Sequence, residues 1–103
     1  MAYAFIHDVP ADEAMYREIR KRLGDETPPG LVAHVVIRRQ QGLRYVDVWE
    51  TEADWDRFRD ERAEPVVDGI LQELGIPHDH SLVRFEQIEV IDAWLGDHDH
   101  SAV

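Results

Sequence analysis

Hydrophobic positions along the chain follow two different periods. Four short runs are rich in valine, isoleucine and aromatic residues, which favour β-strands, and they lie at 2–9, 31–39, 43–50 and 83–94. Over 11–23 and 52–74, apolar residues recur about every four positions, as on one face of a helix. The order strand, helix, hairpin, helix, strand predicts an α+β, ferredoxin-like domain with an antiparallel four-stranded sheet.

Glycine, threonine and proline mark where the predicted helices end, begin and bend. Gly24 follows the first helix at the position where a left-handed residue commonly ends one. Thr51 precedes the second helix as an N-cap, with Asp54 three residues further on. Pro65 lies within that helix, and proline removes a helical hydrogen bond and clashes with the preceding turn. We therefore expect a kink or a break into two segments near 63–65.

The chain has 103 residues and a formal net charge of -11, from 22 acidic and 11 basic residues. This length suits a single hydrophobic core, and we expect one domain at 1–95 with a flexible tail at 96–103. The negative charge repels phosphate backbones and anionic lipids, which argues against nucleic-acid and membrane partners. Without cysteine there are no disulfides and no thiolate catalysis. The first residues resemble neither a signal peptide nor a membrane span, so we expect a cytoplasmic protein.

The predicted sheet has more apolar surface than two helices can cover. Four strands about 4.8 Å apart make a sheet about 19 Å wide, and two helices each about 10 Å across cover one face. In the first two strands both faces are apolar apart from His7 and His34, so both faces should be buried. We therefore predict a homodimer in which two sheets pack face to face. The alternative is a monomer with a more polar second face, which the polar residues of the last strand favour.

Two histidines in the predicted strands, His7 and His34, are candidates for acid–base chemistry, because a neutral imidazole can act as a general base near physiological pH. A hairpin loop of two or four residues pairs His34 with Asp47 and Val32 with Trp49. A carboxylate beside an imidazole orients the ring and raises its basicity. We predict His7, His34 and Asp47 as catalytic residues, and the alternative is a purely structural polar pair.

Aromatic residues and histidine triplets supply the remaining candidate sites. Five aromatic residues could line a pocket for a small organic ligand, flat or aromatic: Tyr3, Tyr45, Trp49, Trp55 and Phe58. The alternative is that they form the core. His-Asp-His triplets at 78–80 and 98–100 have the spacing of metal ligands, but they lie in a predicted loop and tail without apolar surroundings. We therefore predict adventitious metal binding at most, with neither a physiological metal nor a cofactor.

The segment DVWETEADWDRFRDERAEP, at 47–65, leads from the third strand into a kinked helix that starts with Trp-x-x-Phe. With the element order over about 3–94, it resembles the dimeric α+β barrel superfamily, and within it the antibiotic-biosynthesis-monooxygenase-like branch. The resemblance implies two ferredoxin-like subunits that form one barrel. Members include cofactor-independent oxygenases acting on aromatic polyketides, haem-degrading enzymes, polyketide cyclases and small isomerases, so the fold alone does not select an activity.

Individual positions narrow these activities. Oxygenase-type and haem-degrading members use an asparagine in the pocket, whereas this chain contains no asparagine. His7 occupies the position on the first strand at which the haem-degrading members carry that asparagine. Residues 65–68, Pro-Val-Val-Asp, stand where the haem-degrading members carry the histidine that binds iron, and none of them is a histidine. Cyclase-like members use a strand histidine, here His7, with a second histidine or tyrosine, although Arg62 and Glu64 stand near the helical position. The resemblance implies oxygenation or cyclisation of a small aromatic or polyketide-like molecule without a cofactor; a non-catalytic ligand-binding or structural dimer is the alternative.

Overall fold

A computed structural model describes residues 2–77 and 83–96. Its elements, in chain order, are β1 (Tyr3–Val9), α1 (Glu13–Leu23), β2 (Leu31–Arg38), β3 (Leu43–Trp49), α2 (Glu52–Phe58), α3 (Glu64–Leu74) and β4 (Arg84–Ile88). A π-helical turn, Arg59–Ala63, joins α2 to α3. The predicted order of strands and helices is therefore confirmed.

The four strands form one antiparallel sheet in the order β2-β3-β1-β4. β3 lies between β1 and β2, so the first helix connects two strands that are parallel but not neighbours. This arrangement is the split β-α-β unit, repeated at the other edge by β3, the second helix and β4. The chain is thus α+β, with a topology compatible with a ferredoxin-like fold.

The predicted break in the second helix takes the form of the π-helical turn. The Glu64 N–H donates to the Arg59 carbonyl, five residues back, in place of the usual four. Pro65 follows at the start of α3, where it has no N–H to donate and its ring crowds the preceding turn. The wider turn accommodates the proline while the helical path continues to Leu74. The N-cap is also as predicted, because Thr51 Oγ1 accepts the Asp54 N–H at 3.1 Å.

A tight hairpin joins β2 to β3. The Arg39 N–H donates to the Gly42 carbonyl at 3.0 Å, which leaves Gln40 and Gln41 as the two turn residues. Gly42 has φ +89°, and a Cβ there would lie 2.1 Å from the Val9 carbonyl oxygen, so only glycine fits. The tight turn determines which residues of the two strands face each other.

Both helices lie on one side of the sheet, called here the helix-facing side. From α2, the Trp55 ring contacts Phe5 at 4.7 Å and Trp49 at 5.6 Å between ring centroids. Phe5, Trp49 and Trp55 form the centre of the core, each at most 8% exposed. From α1, Tyr16 packs over His34 and Tyr45. The helix-facing side therefore holds both the core and the polar residues of the candidate site.

The opposite side of the sheet, called here the open face, carries mostly apolar side chains. It is defined by residues whose register alternates with the helix-facing ones: Ala4, Ile6, Ala33, Val35, Ile37, Val46, Val48 and Ile88. Val35 is 51% exposed and Ile37 is 44% exposed. At the hairpin end, Arg44 donates two hydrogen bonds to Asp8, at 2.8 and 3.1 Å. The open face is thus apolar across β2, β3 and β1, with the Arg44–Asp8 ion pair at the hairpin end and the charged Arg84 and Glu86 on β4, beside Asp8 and Ile6.

The last strand is shorter than its sequence predicts. β4 ends at Ile88, whereas the apolar and polar residues to Trp94 indicated a strand over 83–94. Residues 89–96 have no regular structure, and the pairing of β4 with β1 ends where Ile88 faces Ala4, one residue from the start of β1. The predicted loop at 78–81 and almost all of the predicted tail lie outside the described residues.

Candidate functional site

The predicted catalytic residues all lie on the helix-facing side of the sheet. β3 lies between β1 and β2, so it brings residues of both strands together: Asp47 faces His34 on one side and Phe5 on the other. His7 faces Tyr45 one pair along. The predicted pairing of His34 with Asp47 is confirmed. The predicted pairing of Val32 with Trp49 is wrong, because an irregularity between Leu31 and Ala33 places Leu31 opposite Trp49.

His34 and Asp47 form a short hydrogen bond. Their Nδ1 and Oδ1 atoms lie 2.6 Å apart, and Asp47 is only 4% exposed. The other carboxylate oxygen, Oδ2, accepts the Trp49 Nε1–H at 3.2 Å. A carboxylate has only acceptors, so His34 Nδ1 carries the proton in this bond. An imidazole with its single proton on Nδ1 has Nε2 as an acceptor.

Tyr16 completes the arrangement from α1. Its hydroxyl lies 2.9 Å from His34 Nε2, to which it donates, and its ring stacks on the imidazole. Burial raises the pKa of Tyr16, and the opposing charge of Arg20 is smaller than this effect, so the phenol holds its proton at neutral pH. Tyr16, His34 and Asp47 therefore form one hydrogen-bonded chain, called here the relay. Its geometry is that of a general acid–base unit.

Sequence reasoning missed Tyr16 as a site residue. The residue stands next to Met15 in the apolar stripe of α1, where it looked like one more core side chain. A tyrosine differs from its neighbours because a buried hydroxyl needs a hydrogen-bond partner. A tyrosine on the sheet-facing side of α1 therefore indicated that a polar partner for its hydroxyl lies on the sheet. The partner itself depends on how α1 docks, which one element's sequence does not contain.

His7 lies beside the relay but is held differently. Its ring makes edge contacts with Tyr45 at 5.8 Å and with Phe85 at 5.6 Å. Burial lowers the pKa of His7 below its ordinary value of 6.5, although Asp47 and Asp8 partly oppose this. His7 is therefore neutral at physiological pH and able to accept a proton. Burial also raises the pKa of Tyr45 well above its ordinary value.

The predicted aromatic wall divides into two groups. One group packs in or against the core around Phe5, together with Tyr3: Trp49, Trp55 and Phe58. This agrees with the alternative interpretation, in which these aromatic residues form the core. Tyr45 instead lies next to both histidines. A further aromatic, Phe85 on β4, stacks on Phe5 at 4.7 Å and is 46% exposed. An exposed aromatic ring beside a neutral imidazole is suited to a flat ligand.

Two surface depressions lie away from these residues, at the hairpin. One of about 280 Å³ is lined by Val9, Pro10, Arg39, Gln41 and Gly42, and one of about 530 Å³ by Arg39, Gln40, Gln41 and Arg44. Neither is lined by a histidine of the site. Within residues 2–77 and 83–96, no three histidine or acidic side chains cluster as a metal site. The His-Asp-His triplets at 78–80 and 98–100 lie outside the described residues.

Comparison with known proteins does not extend the assignment. No protein-family model matches the chain, and no curated protein matches it at significant similarity. No helix in the described part of the chain has the length and apolar character that crossing a bilayer requires. The functional reading therefore rests on the geometry of the site.

The lowered pKa of His7 predicts a specific dependence of stability on pH. The unfolded chain binds the proton first, near pH 6.5, so the free energy of unfolding falls as pH drops below that value. His7→Phe keeps an aromatic ring but removes this titration. We expect the melting temperature of the wild type to fall more steeply between pH 7.5 and pH 5 than that of the variant. The difference in slope should correspond to the uptake of at most about one additional proton when the wild type unfolds.

Thermal unfolding followed by circular dichroism at half-unit pH steps measures this difference. The other titrating groups are common to both proteins and cancel in it. His34→Gln serves as the control, because it removes a histidine from the same side of the sheet but leaves His7 in place. Parallel pH profiles for wild type and His7→Phe would contradict the assignment of a neutral, buried His7.

Proposed function

We propose that this protein is a homodimeric acid–base enzyme that moves a proton next to a carbonyl group of a small aromatic or polyketide-like molecule. In this proposal it belongs with the antibiotic-biosynthesis-monooxygenase-like dimeric α+β barrels. The reaction is a cyclisation or an oxygenation that needs no bound cofactor. The observation that carries the proposal is the relay, because an ordered tyrosine, histidine and aspartate can take up and return a proton.

The proton path follows from the donors and acceptors of the relay. The Tyr16 oxygen takes a C–H proton from the substrate while the phenolic proton passes to His34 Nε2. The resulting imidazolium is stabilised by the buried Asp47 carboxylate, which does not itself need to be protonated. In a cyclisation, the enolate forms a carbon–carbon bond with a second carbonyl of the same molecule, and the proton returns by the same path.

An oxygenation would use the same enolate with dioxygen as co-reactant. The enolate carbon adds to dioxygen, and the resulting peroxide takes back the first proton from the relay to give a hydroperoxide. Loss of the second C–H proton from the same carbon then breaks the O–O bond, which leaves a new carbonyl group on that carbon and releases the other oxygen atom, with both protons, as water. Both reactions thus begin with the same proton abstraction. A test of that first step covers both.

The ligand position is inferred from exposure. Phe85 offers an exposed aromatic face, and the neighbouring His7 is neutral and can accept a hydrogen bond from an enol or phenol. Tyr45 lies between His7 and the relay, at 5.6 Å from His34 between ring centroids. A flat molecule several rings long, lying from Phe85 past His7 and over Tyr45, would therefore reach the Tyr16 hydroxyl.

The homodimer is supported by the open face. A valine and an isoleucine there are about half exposed, and the apolar surface continues across β3 and β1 onto Ile6, Val46 and Val48. Contiguous apolar patches of this kind mark interaction sites in small proteins. Two copies related by a two-fold axis would pack their sheets face to face at a spacing of about 10 Å.

Deuterium exchange tests the proton abstraction directly. β-Tetralone is a flat aromatic ketone with acidic C–H groups next to its carbonyl, and magnetic resonance follows their replacement by deuterium in deuterated buffer. We expect the wild-type protein to accelerate this exchange over buffer. Tyr16→Phe should lose about a hundredfold or more of the acceleration, because it cannot take up the proton.

Lys21→Gln is the matched control, since it changes an exposed residue of the same helix. It should exchange the ketone at the wild-type rate. Equal rates for Tyr16→Phe and wild type, or a wild-type rate equal to buffer, would contradict the proposal.

A non-catalytic ligand-binding or structural dimer is the second candidate. It is favoured by the finding that, among described residues, every fully buried side-chain nitrogen and oxygen has a hydrogen-bond partner. In a relay that serves only to stabilise the fold, every buried polar atom would likewise have a hydrogen-bond partner. In that case Tyr16→Phe would lower the melting temperature. Neither the wild type nor any variant would accelerate the deuterium exchange of β-tetralone over buffer.

A further inference from the structure

The segment that follows β4, residues 89–96 and called here the arm, exposes more apolar surface than a free segment normally does. Ile91 is 95% exposed, Trp94 is 94% exposed and Leu95 is 56% exposed. The other two tryptophans, Trp49 and Trp55, are at most 8% exposed. Single exposed apolar residues are common in monomers, but three within five positions of one irregular segment indicate a binding surface.

We propose that the arm of each copy packs on the open face of a second copy, with Ile91 and Trp94 covering the exposed Val35 and Ile37 of that copy. This inference rests on the proposed homodimer and goes beyond it, since sheet packing alone would leave the arm in water. The arm does not cover its own sheet, because both side chains are almost fully exposed within their own chain.

The area of the interface supports an added segment. A sheet about 19 Å wide, with strands about 20 Å long, offers on the order of 400 Å² of flat surface. A stable interface needs about 800 Å² per partner. A tryptophan alone can bury about 200 Å². The exposed side chains of the arm can therefore provide a large part of the missing area.

Reach and charge agree with this placement. Eight extended residues span up to about 26 Å, enough to cross a sheet about 19 Å wide. The arm is acidic, with Glu89 and Asp92. At the hairpin end of the open face, the guanidinium groups of Arg39 and Arg44 share one carboxylate, that of Asp8, so a net positive charge is left there. An acidic arm and a basic end of the facing sheet attract each other.

Two-fold symmetry makes the contact reciprocal. Each copy both gives an arm and receives one, so every favourable arm contact occurs twice in the dimer. Loss of the apolar side chains should therefore weaken dimerisation strongly, without destabilising the single chain.

Sedimentation equilibrium of the full chain tests this. In Ile91→Ser/Trp94→Ser, we expect the dissociation constant of the dimer to rise at least tenfold over wild type. The matched control is Leu74→Ser/Ile76→Ser, which removes two apolar residues that are 59% and 47% exposed but lie at the end of α3. The control should dimerise as the wild type does.

Fluorescence quenching by acrylamide reports on Trp94 itself. The emission of Trp94 is obtained as the difference between wild type and Trp94→Phe. It should be quenched readily at concentrations where the chain is monomeric and protected where it is dimeric.

The outcomes separate the arm from the dimer. If the double arm variant dimerises with the wild-type constant and Trp94 stays open to acrylamide in the dimer, the arm proposal is wrong while the dimer stands. If wild-type protein is monomeric at tens of micromolar, both the dimer and the arm contact are wrong. A tenfold weaker dimer in the arm variant only, together with protection of Trp94, supports both.

Discussion

Asp47→Ala is expected to lower the free energy of unfolding by about 3 kcal/mol or more. The substitution leaves two donors without their acceptor, the His34 Nδ1–H and the Trp49 Nε1–H. Trp49 is only 1% exposed, so water does not easily replace the carboxylate there. Each unsatisfied donor costs about 1 to 3 kcal/mol. Urea denaturation followed by circular dichroism measures the loss.

Two further variants divide the structural from the catalytic role of this carboxylate. Glu26→Ala removes an acid from an exposed loop and should change stability by less than about 0.5 kcal/mol. Asp47→Asn keeps the size and one acceptor, so it should lose less stability than Asp47→Ala. It also permits the amide to donate to His34 Nδ1, which shifts the imidazole proton to Nε2, the wrong tautomer for accepting from Tyr16.

We therefore expect Asp47→Asn to lose most of the exchange activity while it keeps most of the stability. If Asp47→Ala unfolds at the same urea concentration as Glu26→Ala, the carboxylate does not hold the site together. If Asp47→Asn accelerates the deuterium exchange of β-tetralone as the wild type does, proton transfer does not depend on the His34 Nδ1–H bond to the Asp47 carboxylate, and the proposed proton path is wrong.

Val46→Asp is expected to convert the proposed dimer into monomers. Val46 lies on the open face of the central strand β3, opposite Ile6 on one side and Val35 on the other. Sheet packing would bury a carboxylate at this point without a partner, at a cost of several kcal/mol per charge, and two-fold symmetry introduces two charges. The dissociation constant of the dimer should therefore rise about a thousandfold or more.

Sedimentation equilibrium at tens of micromolar measures this against the chain mass of 12.0 kDa. Val46→Thr is the matched control, because threonine has nearly the same size and β-propensity but no charge. It should remain a dimer. An unchanged dissociation constant for Val46→Asp would show that copies associate through another surface, whereas an unfolded variant would be recognised by its circular dichroism spectrum.

The most informative sequence prediction was the pairing of His34 with Asp47. It required only the length of a hairpin loop, because a tight turn and a period of two determine every pair that follows. The pairing of Val32 with Trp49 failed for a related reason. The strand irregularity between Leu31 and Ala33 inserts an extra residue, and nothing in the local valine-rich sequence distinguishes that point from a regular strand.

The length of the last strand could not be derived from its own residues. The pattern over 83–94 is compatible with a strand throughout, but a strand needs a neighbour to bond with, and β1 pairs only as far as Ile88. The exposed Ile91 and Trp94 then became a feature of the arm and not of the sheet. Their apolar character was evident in the sequence, but their exposure was not.

By itself, the sequence determined the order of strands and helices, the caps at Thr51 and Gly24, the break before Pro65 and the hairpin pairing of His34 with Asp47. These properties depend on contacts within one or two neighbouring elements, where periodicity, turn geometry and proline chemistry operate. Only the tertiary structure decided that Tyr16 completes the relay, that His7 is a half-buried, neutral ring, and which side of the sheet the helices leave open. Each of these depends on how separate elements dock, which is determined by the packing of the whole domain.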